Sequence, residues 1–257
     1  MPEIHSTAVV SAGAQIGEGA QIGPYCVVGP EVKIGQGTKL MSHVVVDGKT
    51  SIGEECEVFP FASLGTTTQD LKYKGGSTYV RVGDRTTVRE YVTINSATND
   101  GEATEVGDDC HIMAYAHIAH ACKVGNKVIM SNCATLAGHV EVEDYAILGG
   151  LTGVHQFVRI GSMAMLGGCT KACQDCPPYM IVDGNPARVI GPNKTAFKRR
   201  GMDLEVRNEL KAAFKCLYRE GLSTAQALEK IRRSKRMTEE TRHLADFVET
   251  SKRGIIK

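Results

Sequence analysis

The sequence predicts a mainly β protein, a parallel β-helix built from six-residue repeats and followed by a C-terminal α-helical domain. Large aliphatic residues recur every six positions. Of the 32 positions from 4 to 190 in this frame, 26 hold Val, Ile, Leu or Met, where composition alone predicts about 8. A small residue follows four positions later, and of the 30 such sites from Ala8 to Val182 only Lys74 departs from Ala, Cys, Thr or Val.

Each hexapeptide is expected to form a short strand and a bend. Because a strand alternates its faces, the aliphatic residue and the small residue two positions before it both point into the interior. Gly or a small polar residue after the aliphatic position supplies the bend. Strands of successive coils then pair in parallel, so each coil is stabilised by its neighbours. This pattern extends over residues 1–190 and does not specify the hand of the helix.

Two polar segments interrupt the repeat, at residues 66–81 and 97–105. We expect both to form loops that leave the β-helix at its corners. Long loops on such a scaffold are often functional, although a tolerated insertion would have the same sequence character.

Residues 191–257 lack the six-residue frame and are predicted to form a helical domain. Asp203 precedes a helical pattern of apolar residues that stops near Gly221. Ser223 begins a capping box for a second helix, and Thr238 can cap a third.

The charge balance divides at the same boundary. Residues 191–257 carry 17 Lys and Arg against 9 Asp and Glu, a net charge of +8. The remaining 13 basic and 20 acidic residues give −7, so the total of +1 conceals a dipolar chain.

Composition excludes several classes of protein. Apolar residues make up 42%, which is too many for a disordered chain. There is no apolar run long enough to span a membrane and no secretory signal, so we expect a cytoplasmic protein without membrane insertion. Its nine cysteines are then expected to be reduced. The sequence shows neither an aromatic stacking platform nor a recognition helix, so we do not expect nucleic-acid binding.

The histidines suggest a site. His117, His120, His139 and His155 lie in successive coils, since 139 and 155 follow 120 by 19 and 35 residues, close to one and two coils. Four imidazoles could therefore line one groove and bind a metal or supply a general base. A zinc lyase like the hexapeptide-repeat carbonic anhydrases needs three His, but the H-x4-H pair of that family is absent. We therefore expect that these histidines do not bind a metal ion. A non-catalytic β-helical scaffold is a further alternative to an enzyme.

Most cysteines have a packing role in this scheme, because five of them occupy small inward positions: Cys26, Cys56, Cys110, Cys122 and Cys176. The side chains of Cys173 and Cys176 are expected to point in opposite directions, which argues against a Cys-x-x-Cys redox motif.

Several local strings are more specific than the repeat. In chain order they are QDLKY (69–73), AHIAHAC (116–122), LAGHV (136–140), VHQF (154–157), QDCPPY (174–179) and FKRRG (197–201). Together with the helical tail ending in KRGIIK, they resemble the UDP-N-acetylglucosamine O-acyltransferases, a family of hexapeptide-repeat enzymes. This resemblance implies a left-handed, three-sided β-helix, a homotrimer and no cofactor. It also implies transfer of a fatty acyl group, usually (R)-3-hydroxyacyl, from acyl carrier protein to the 3-hydroxyl of UDP-N-acetylglucosamine, the first step of lipid A synthesis.

The resemblance also implies roles for individual residues. His120 matches the catalytic base, and the backbone N–H of Gly138 matches the donor to the oxyanion. Gly168 matches the position that gauges acyl length. The residues matching substrate contacts are Asp70, Lys72, His117, His139 and His155 for the nucleotide sugar or acyl chain, and Gln156, Asn193 and Arg199 for uridine or phosphate.

The net positive charge of residues 191–257 would have a function in this family, because acyl carrier proteins are acidic. Lys198, Arg199 and Arg200 form a basic run expected to dock the carrier. A solvated helical face is the alternative. A related N-acyltransferase of the same pathway is disfavoured, because that family carries a domain ahead of its repeats and this repeat begins at Ile4.

Three positions depart from the family pattern. Ala121 replaces an acidic residue that often follows the base, which leaves the means of orienting His120 open. Asn95 stands where relatives often have His or another polar group, and Pro186 replaces a His found in some. Either change could alter sugar or acyl preference.

Overall fold

The computed structural model describes all residues, 1–257, as 28 strands and 4 helices. Most strands are two residues long and recur every six residues, as the repeat predicts. In chain order the strands are β1 (Glu3–Ile4), β2 (Val9–Val10), β3 (Gln15–Ile16), β4 (Gln21–Ile22), β5 (Val27–Val28), β6 (Lys33–Ile34), β7 (Lys39–Leu40), β8 (Val45–Val46), β9 (Lys49–Ile52), β10 (Glu57–Val58), β11 (Ser63–Thr66), β12 (Tyr79–Val82), β13 (Thr87–Val88), β14 (Thr93–Asn95), β15 (Ala103–Val106), β16 (His111–Ile112), β17 (His117–Ile118), β18 (Lys123–Val124), β19 (Ile129–Met130), β20 (Thr135–Leu136), β21 (Glu141–Val142), β22 (Ile147–Leu148), β23 (Gly153–Val154), β24 (Arg159–Ile160), β25 (Met165–Leu166), β26 (Lys171–Ala172), β27 (Met180–Asp183) and β28 (Arg188–Pro192).

The strands form three sheets that make the sides of a prism. Sheet A contains every third strand from β1 to β25 and then β27 and β28, sheet B runs from β2 to β26, and sheet C from β3 to β24. Strands of successive coils pair in parallel, for example β1 with β4, and only the last pair, β27 with β28, is antiparallel. The prediction of a left-handed parallel β-helix with a C-terminal helical domain is confirmed.

The two inward positions of the repeat fill the interior of the prism. Aliphatic side chains such as Leu64, Ile118 and Leu136 are fully buried, and the five small inward cysteines are buried free thiols. Buried threonines satisfy backbone groups of the next coil, as where the Thr38 hydroxyl donates to the Gly53 carbonyl at 2.7 Å. The core therefore consists of ladders of like residues.

The corners differ from the expectation in one respect. The glycines after the aliphatic positions permit close stacking of coils, since a Cβ on Gly35 would lie 2.3 Å from the Gly53 carbonyl oxygen. The left-handed backbone occurs two residues later, and it is adopted mostly by residues other than Gly, such as Tyr25, Phe61 and His139. Coil-to-coil hydrogen bonds hold these residues there, as where the His43 N–H donates to the Pro24 carbonyl.

The two loops leave the prism after β11 and β14 and span residues 67–78 and 96–102. Residue 66, expected in the first loop, ends β11 instead. Residues 79–81 and 103–105, also expected in the loops, are strand as well. They pair with each other and extend β9, β12 and β15 to four residues each, with Tyr79 opposite Lys49 and Ala103. These longer strands anchor both loops as they return to the prism.

The helical domain holds α1 (Lys194–Arg199), α2 (Leu204–Tyr218), α3 (Thr224–Arg232) and α4 (Glu239–Glu249). The capping box at Ser223 and the cap at Thr238 are present, whereas the Asp203 side chain makes no capping bond. The sequence did not predict α1. None of the four helices is both long and apolar enough to cross a lipid bilayer.

An ion pair between the buried Asp175 and the partly exposed Arg159 joins the helical domain to the prism. The Asp175 carboxylate accepts hydrogen bonds from the Arg159 backbone N–H and Nε and from the Ser251 hydroxyl, at 2.9, 3.0 and 2.8 Å. Arg159 also donates to the Phe247 carbonyl of α4 at 2.7 Å. The last coil, α4 and the C-terminal tail are therefore fastened at one point.

Candidate active site

A groove of ≈ 580 Å³ lies where the first loop passes over sheet B and the corner that follows it. Consecutive coils supply its wall, so residues far apart in sequence lie side by side. Its lining residues are Gln69, Asp70, Leu71, Lys72, Asn95, His117, Ala119, His120, Ala137, Gly138 and Gln156.

His120 lies at the corner after β17 and faces the loop. Its Nε2 is 3.8 Å from Oδ2 of Asp70, and the two side chains are only 14% and 21% exposed. The Asp70 carboxylate is held from the other side, because Oδ1 accepts a hydrogen bond from the Lys72 backbone N–H at 3.0 Å. The loop thus brings a fixed carboxylate to the imidazole.

The surroundings of His120 favour its neutral form. Burial lowers the pKa of His120 below its usual value, the nearby His139 acts in the same direction, and Asp70 opposes them. The hydrogen bond from the Lys72 backbone lowers the pKa of Asp70. At neutral pH the site therefore pairs an unprotonated imidazole, able to accept a proton, with an ionised carboxylate.

Gly138 provides the space that this imidazole occupies. A Cβ on Gly138 would lie 2.2 Å from Cε1 and 2.3 Å from Nε2 of His120, so any side chain there would collide with the ring. The Gly138 carbonyl accepts a hydrogen bond from Phe157, whereas its N–H donates none within the chain. An uncommitted donor is therefore available next to the imidazole.

The other three histidines lie in different surroundings. His117 lines the groove with Nδ1 2.7 Å from the Thr93 hydroxyl, and burial lowers its pKa. His139 meets the His120 ring edge-on at 5.0 Å and stacks on Phe157. His155 is exposed and lies outside the groove lining, next to Arg253, with the guanidinium 3.3 Å from Nδ1.

The remaining predicted positions do not line the groove within one chain. Asn193 is 3% exposed, and its side chain caps α1 and donates to the Met163 carbonyl at 2.9 Å. Lys198 and Arg199 are exposed in the last turn of α1, and Arg200 stacks on Tyr145.

Gly168 is exposed at another part of the prism. A Cβ there would meet only the Gly150 carbonyl, at an ordinary 3.5 Å. The chain therefore leaves open space beside this residue.

Sequence reasoning had not placed Gln69, Leu71, Ala119 or Ala137 in the groove, and it had noted Asn95 only as a departure from the family pattern. Their positions could have been inferred from Asp70, Lys72, His120 and Gly138, because each is adjacent in sequence or stacked on a neighbouring coil. No group of three or more His, Cys, Asp or Glu side chains is arranged to hold a metal ion.

Comparison with known families identifies the relatives of this chain. The model of the second domain of UDP-N-acetylglucosamine O-acyltransferases matches residues 175–256, and the bacterial transferase hexapeptide model matches residues 13–48 and 103–138. An acyl-[acyl-carrier-protein]–UDP-N-acetylglucosamine O-acyltransferase of Thermodesulfovibrio yellowstonii is 49% identical, over 100% of both chains.

Solved structures give the same result. LpxA of Acinetobacter baumannii is 40% identical with a TM-score of 0.95, over 99% of both chains. The UDP-N-acetylglucosamine acyltransferase of Francisella novicida is 39% identical with a TM-score of 0.95, over 98% of this chain and 93% of its own. That of Bacteroides fragilis is 33% identical with a TM-score of 0.96, over 99% and 100%. The resemblance inferred from the motifs is thereby confirmed, and the chain belongs to the UDP-N-acetylglucosamine O-acyltransferase family of hexapeptide-repeat enzymes.

Proposed function

We propose that this protein transfers a fatty acyl group, of the 3-hydroxyacyl type usual in its family, from acyl carrier protein to the 3-hydroxyl of UDP-N-acetylglucosamine. This reaction begins lipid A synthesis. The observation that carries the proposal is the unprotonated, largely buried imidazole of His120 beside the backbone N–H of Gly138, which donates no hydrogen bond within the chain. One group accepts a proton and the other donates to an oxyanion, which are the two requirements of acyl transfer.

The reaction then proceeds without an acyl-enzyme. The sugar oxygen attacks the thioester carbon while Nε2 of His120 takes the hydroxyl proton, and the Gly138 N–H donates to the oxyanion that forms. Collapse of this intermediate breaks the carbon–sulfur bond. The imidazolium returns its proton to the departing carrier thiolate, so His120 regains its neutral form.

The neighbouring side chains serve to hold the substrate. Asp70 accepts hydrogen bonds from sugar hydroxyls. Polar contacts on the same wall of the groove come from Lys72, His117 and Gln156. We assign His139 and His155 to the part of the substrate that extends along the corner beyond the groove.

His120→Ala tests the base. We expect kcat with UDP-N-acetylglucosamine and acyl carrier protein to fall at least about 10²-fold, since positioned bases supply about 10²–10⁴-fold. His111→Ala is the matched control, because His111 lies on sheet A outside the groove lining. If the His120 variant keeps more than about a tenth of the wild-type rate, the assignment of the base is wrong.

We further propose a homotrimer, supported by the distribution of apolar surface. The corner between sheets A and B carries a ladder of stacked, partly exposed rings, spaced 4.8–5.0 Å apart. We call it the aromatic ladder; its members are Tyr25, His43, Phe61, Tyr91 and Tyr115. Sheet C instead turns outward the residues Gln15, Lys33, Ser51, Arg81, Glu105, Lys123, Glu141 and Arg159.

A trimer with the aromatic ladder at its axis would bury the apolar corner and leave the charged sheet C in water. Sheet B of one copy would then face sheet A of the next. The far edge of sheet B carries His120, and the far edge of sheet A carries Tyr145 and Met163, against which α1 and Asn193 pack. A neighbouring copy would thus bring its own Asn193 and Arg199 toward the groove that each chain leaves incomplete. Gly168 lies instead at the corner between sheets A and B, nearer the proposed axis.

Carrier-protein docking is assigned to the exposed basic end of α1. Lys198 and Arg199 are exposed, and the domain around them has a net charge of +8. Acyl carrier proteins are acidic, so this charge would speed their encounter with the enzyme.

A further inference from the structure

Asn95 ends β14 at the floor of the groove, beneath the first loop, and is only 5% exposed. Its Nδ2 donates to the Thr66 carbonyl at 3.3 Å, the Thr66 hydroxyl at 3.1 Å and the Thr67 carbonyl at 3.0 Å. Two of these acceptors are carbonyl oxygens, which could not pair with an amide oxygen. The amide is therefore fixed in one orientation, and its oxygen position is unambiguous.

The Oδ1 atom of Asn95 is buried and accepts no hydrogen bond. An acceptor removed from water and left unpaired is unfavourable, and such atoms are rare in folded proteins. Because Asn95 lines the groove, a bound ligand can supply the missing donor.

The surrounding groups indicate the chemistry of that donor. The carboxylate of Asp70 is an acceptor on the same groove, and Nε2 of His120, 3.8 Å away, accepts a proton in the proposed mechanism. Together with the Asn95 oxygen they form an acceptor-rich surface, complementary to a ligand with several O–H or N–H groups. A pyranose fits this requirement.

We propose that Oδ1 of Asn95 accepts a hydrogen bond from the acceptor sugar and makes Asn95 a residue that determines sugar specificity. This inference rests on the proposed function. The reacting 3-hydroxyl has a single proton, which goes to His120, so the donor to Asn95 is one of the others: the 4-hydroxyl, the 6-hydroxyl or the acetamido N–H.

The energetic consequence is selectivity. A sugar without that donor leaves the fixed oxygen unpaired, and sites built around a buried polar partner discriminate strongly against ligands that lack it. We expect wild-type enzyme to disfavour one such analogue by at least about 10²-fold in kcat/KM.

The experiment compares UDP-N-acetylglucosamine with three analogues, lacking the 4-hydroxyl, lacking the 6-hydroxyl, or with the acetamido nitrogen replaced by oxygen. Wild type, Asn95→Leu and Thr66→Val are assayed with each. Thr66→Val removes one acceptor of the Asn95 amide but leaves Oδ1 in place, so it controls for loosening of the loop. We expect the selectivity to collapse to below about 10-fold in Asn95→Leu and to persist in Thr66→Val.

Two results would overturn the proposal. One is wild-type enzyme that uses all three analogues within about 10-fold of the parent sugar, which requires no variant to fold. The other is a folded Asn95→Leu that keeps the wild-type preference against each analogue. The same ratios measured as dissociation constants by calorimetry test the contact without turnover, so wild-type enzyme that binds the sugar but does not acylate it overturns only the proposed function.

Discussion

Gly138 shows how tightly the backbone approaches the imidazole of His120, since a Cβ would lie 2.2 Å from Cε1. Gly138→Ala should leave the fold intact, because its φ is not in the left-handed region and the ring is the mobile partner. Displacing the ring by about 1 Å is expected to lower kcat about 10²-fold. Kinetics and the melting temperature are compared with Gly191→Ala, where a Cβ meets nothing within 4 Å. Wild-type activity in Gly138→Ala would refute the contact.

The pH dependence follows from the same ring. As the proposed base, His120 must be unprotonated to act, so activity should rise with pH through its pKa, which burial holds below the ordinary value of 6.5. The acid limb of kcat/KM should therefore have its midpoint below pH 6.5. Asp70 raises this pKa, so Asp70→Asn should move the midpoint to lower pH while reducing the rate. A wild-type midpoint at or above pH 6.5, or an upward movement in Asp70→Asn, would contradict this assignment.

Sequence spacing predicted that His117, His120, His139 and His155 line one groove. Of these, His117 and His120 line it, whereas His139 and His155 are not among its lining residues. The four residues occupy four different positions within the hexapeptide, and each position gives its side chain a different direction. Coil spacing fixes height along the prism, whereas direction depends on the corner geometry. The sequence also could not predict the unpaired side-chain oxygen of Asn95, because its lack of a partner results from the path of the first loop.

Among the structural elements, the junction of the last coil, α4 and the C-terminal tail depends on Asp175. Its side chain is 2% exposed and accepts three hydrogen bonds. Asp175→Ala leaves Arg159 without its partner and should cost about 3 kcal/mol of unfolding free energy. Denaturant unfolding measures this loss. Asp109→Ala, which removes an exposed partner of Arg85, should change stability little, and equal losses in the two variants would show that burial is irrelevant.

The elements that the sequence predicted share a strong local pattern. The strands repeat every six residues, and α3 and α4 begin at Ser223 and Thr238, whose caps were recognisable. Helix α1 has six residues and one buried side chain, Phe197, which is too short for a helical period to show. The sequence also could not predict the extension of β12 into the expected loop, because this extension depends on a pairing partner in another coil.

At the level of the whole molecule, the aromatic ladder predicts how copies assemble. Tyr91 and Tyr115 are 45% and 58% exposed in one chain, and burying such rings at a trimer axis would be a major source of stability. The double variant Tyr91→Asp/Tyr115→Asp should sediment as a smaller species and lose activity, because in the proposed trimer a neighbouring copy completes each groove. Lys33→Glu on sheet C should remain trimeric. A double variant with unchanged mass would place the interface elsewhere.

The division of charge between −7 in the prism and +8 in the helical domain predicts how the carrier protein approaches. The triple variant Lys198→Ser/Arg199→Ser/Arg200→Ser should raise KM for acyl carrier protein about 10-fold, because steering by surface charge acts on the encounter rate. Added salt should reproduce this effect in wild-type enzyme and have a weaker effect on the variant, since exposed charges are screened within about 10 Å at 0.1 M ionic strength. Steady-state kinetics at sub-saturating carrier measures both. The control is Lys235→Ser/Arg236→Ser, which removes charge from the α3–α4 connection, away from α1, and should change KM less. If salt leaves the wild-type rate unchanged, or if both sets of substitutions act equally, the basic end of α1 does not guide the carrier.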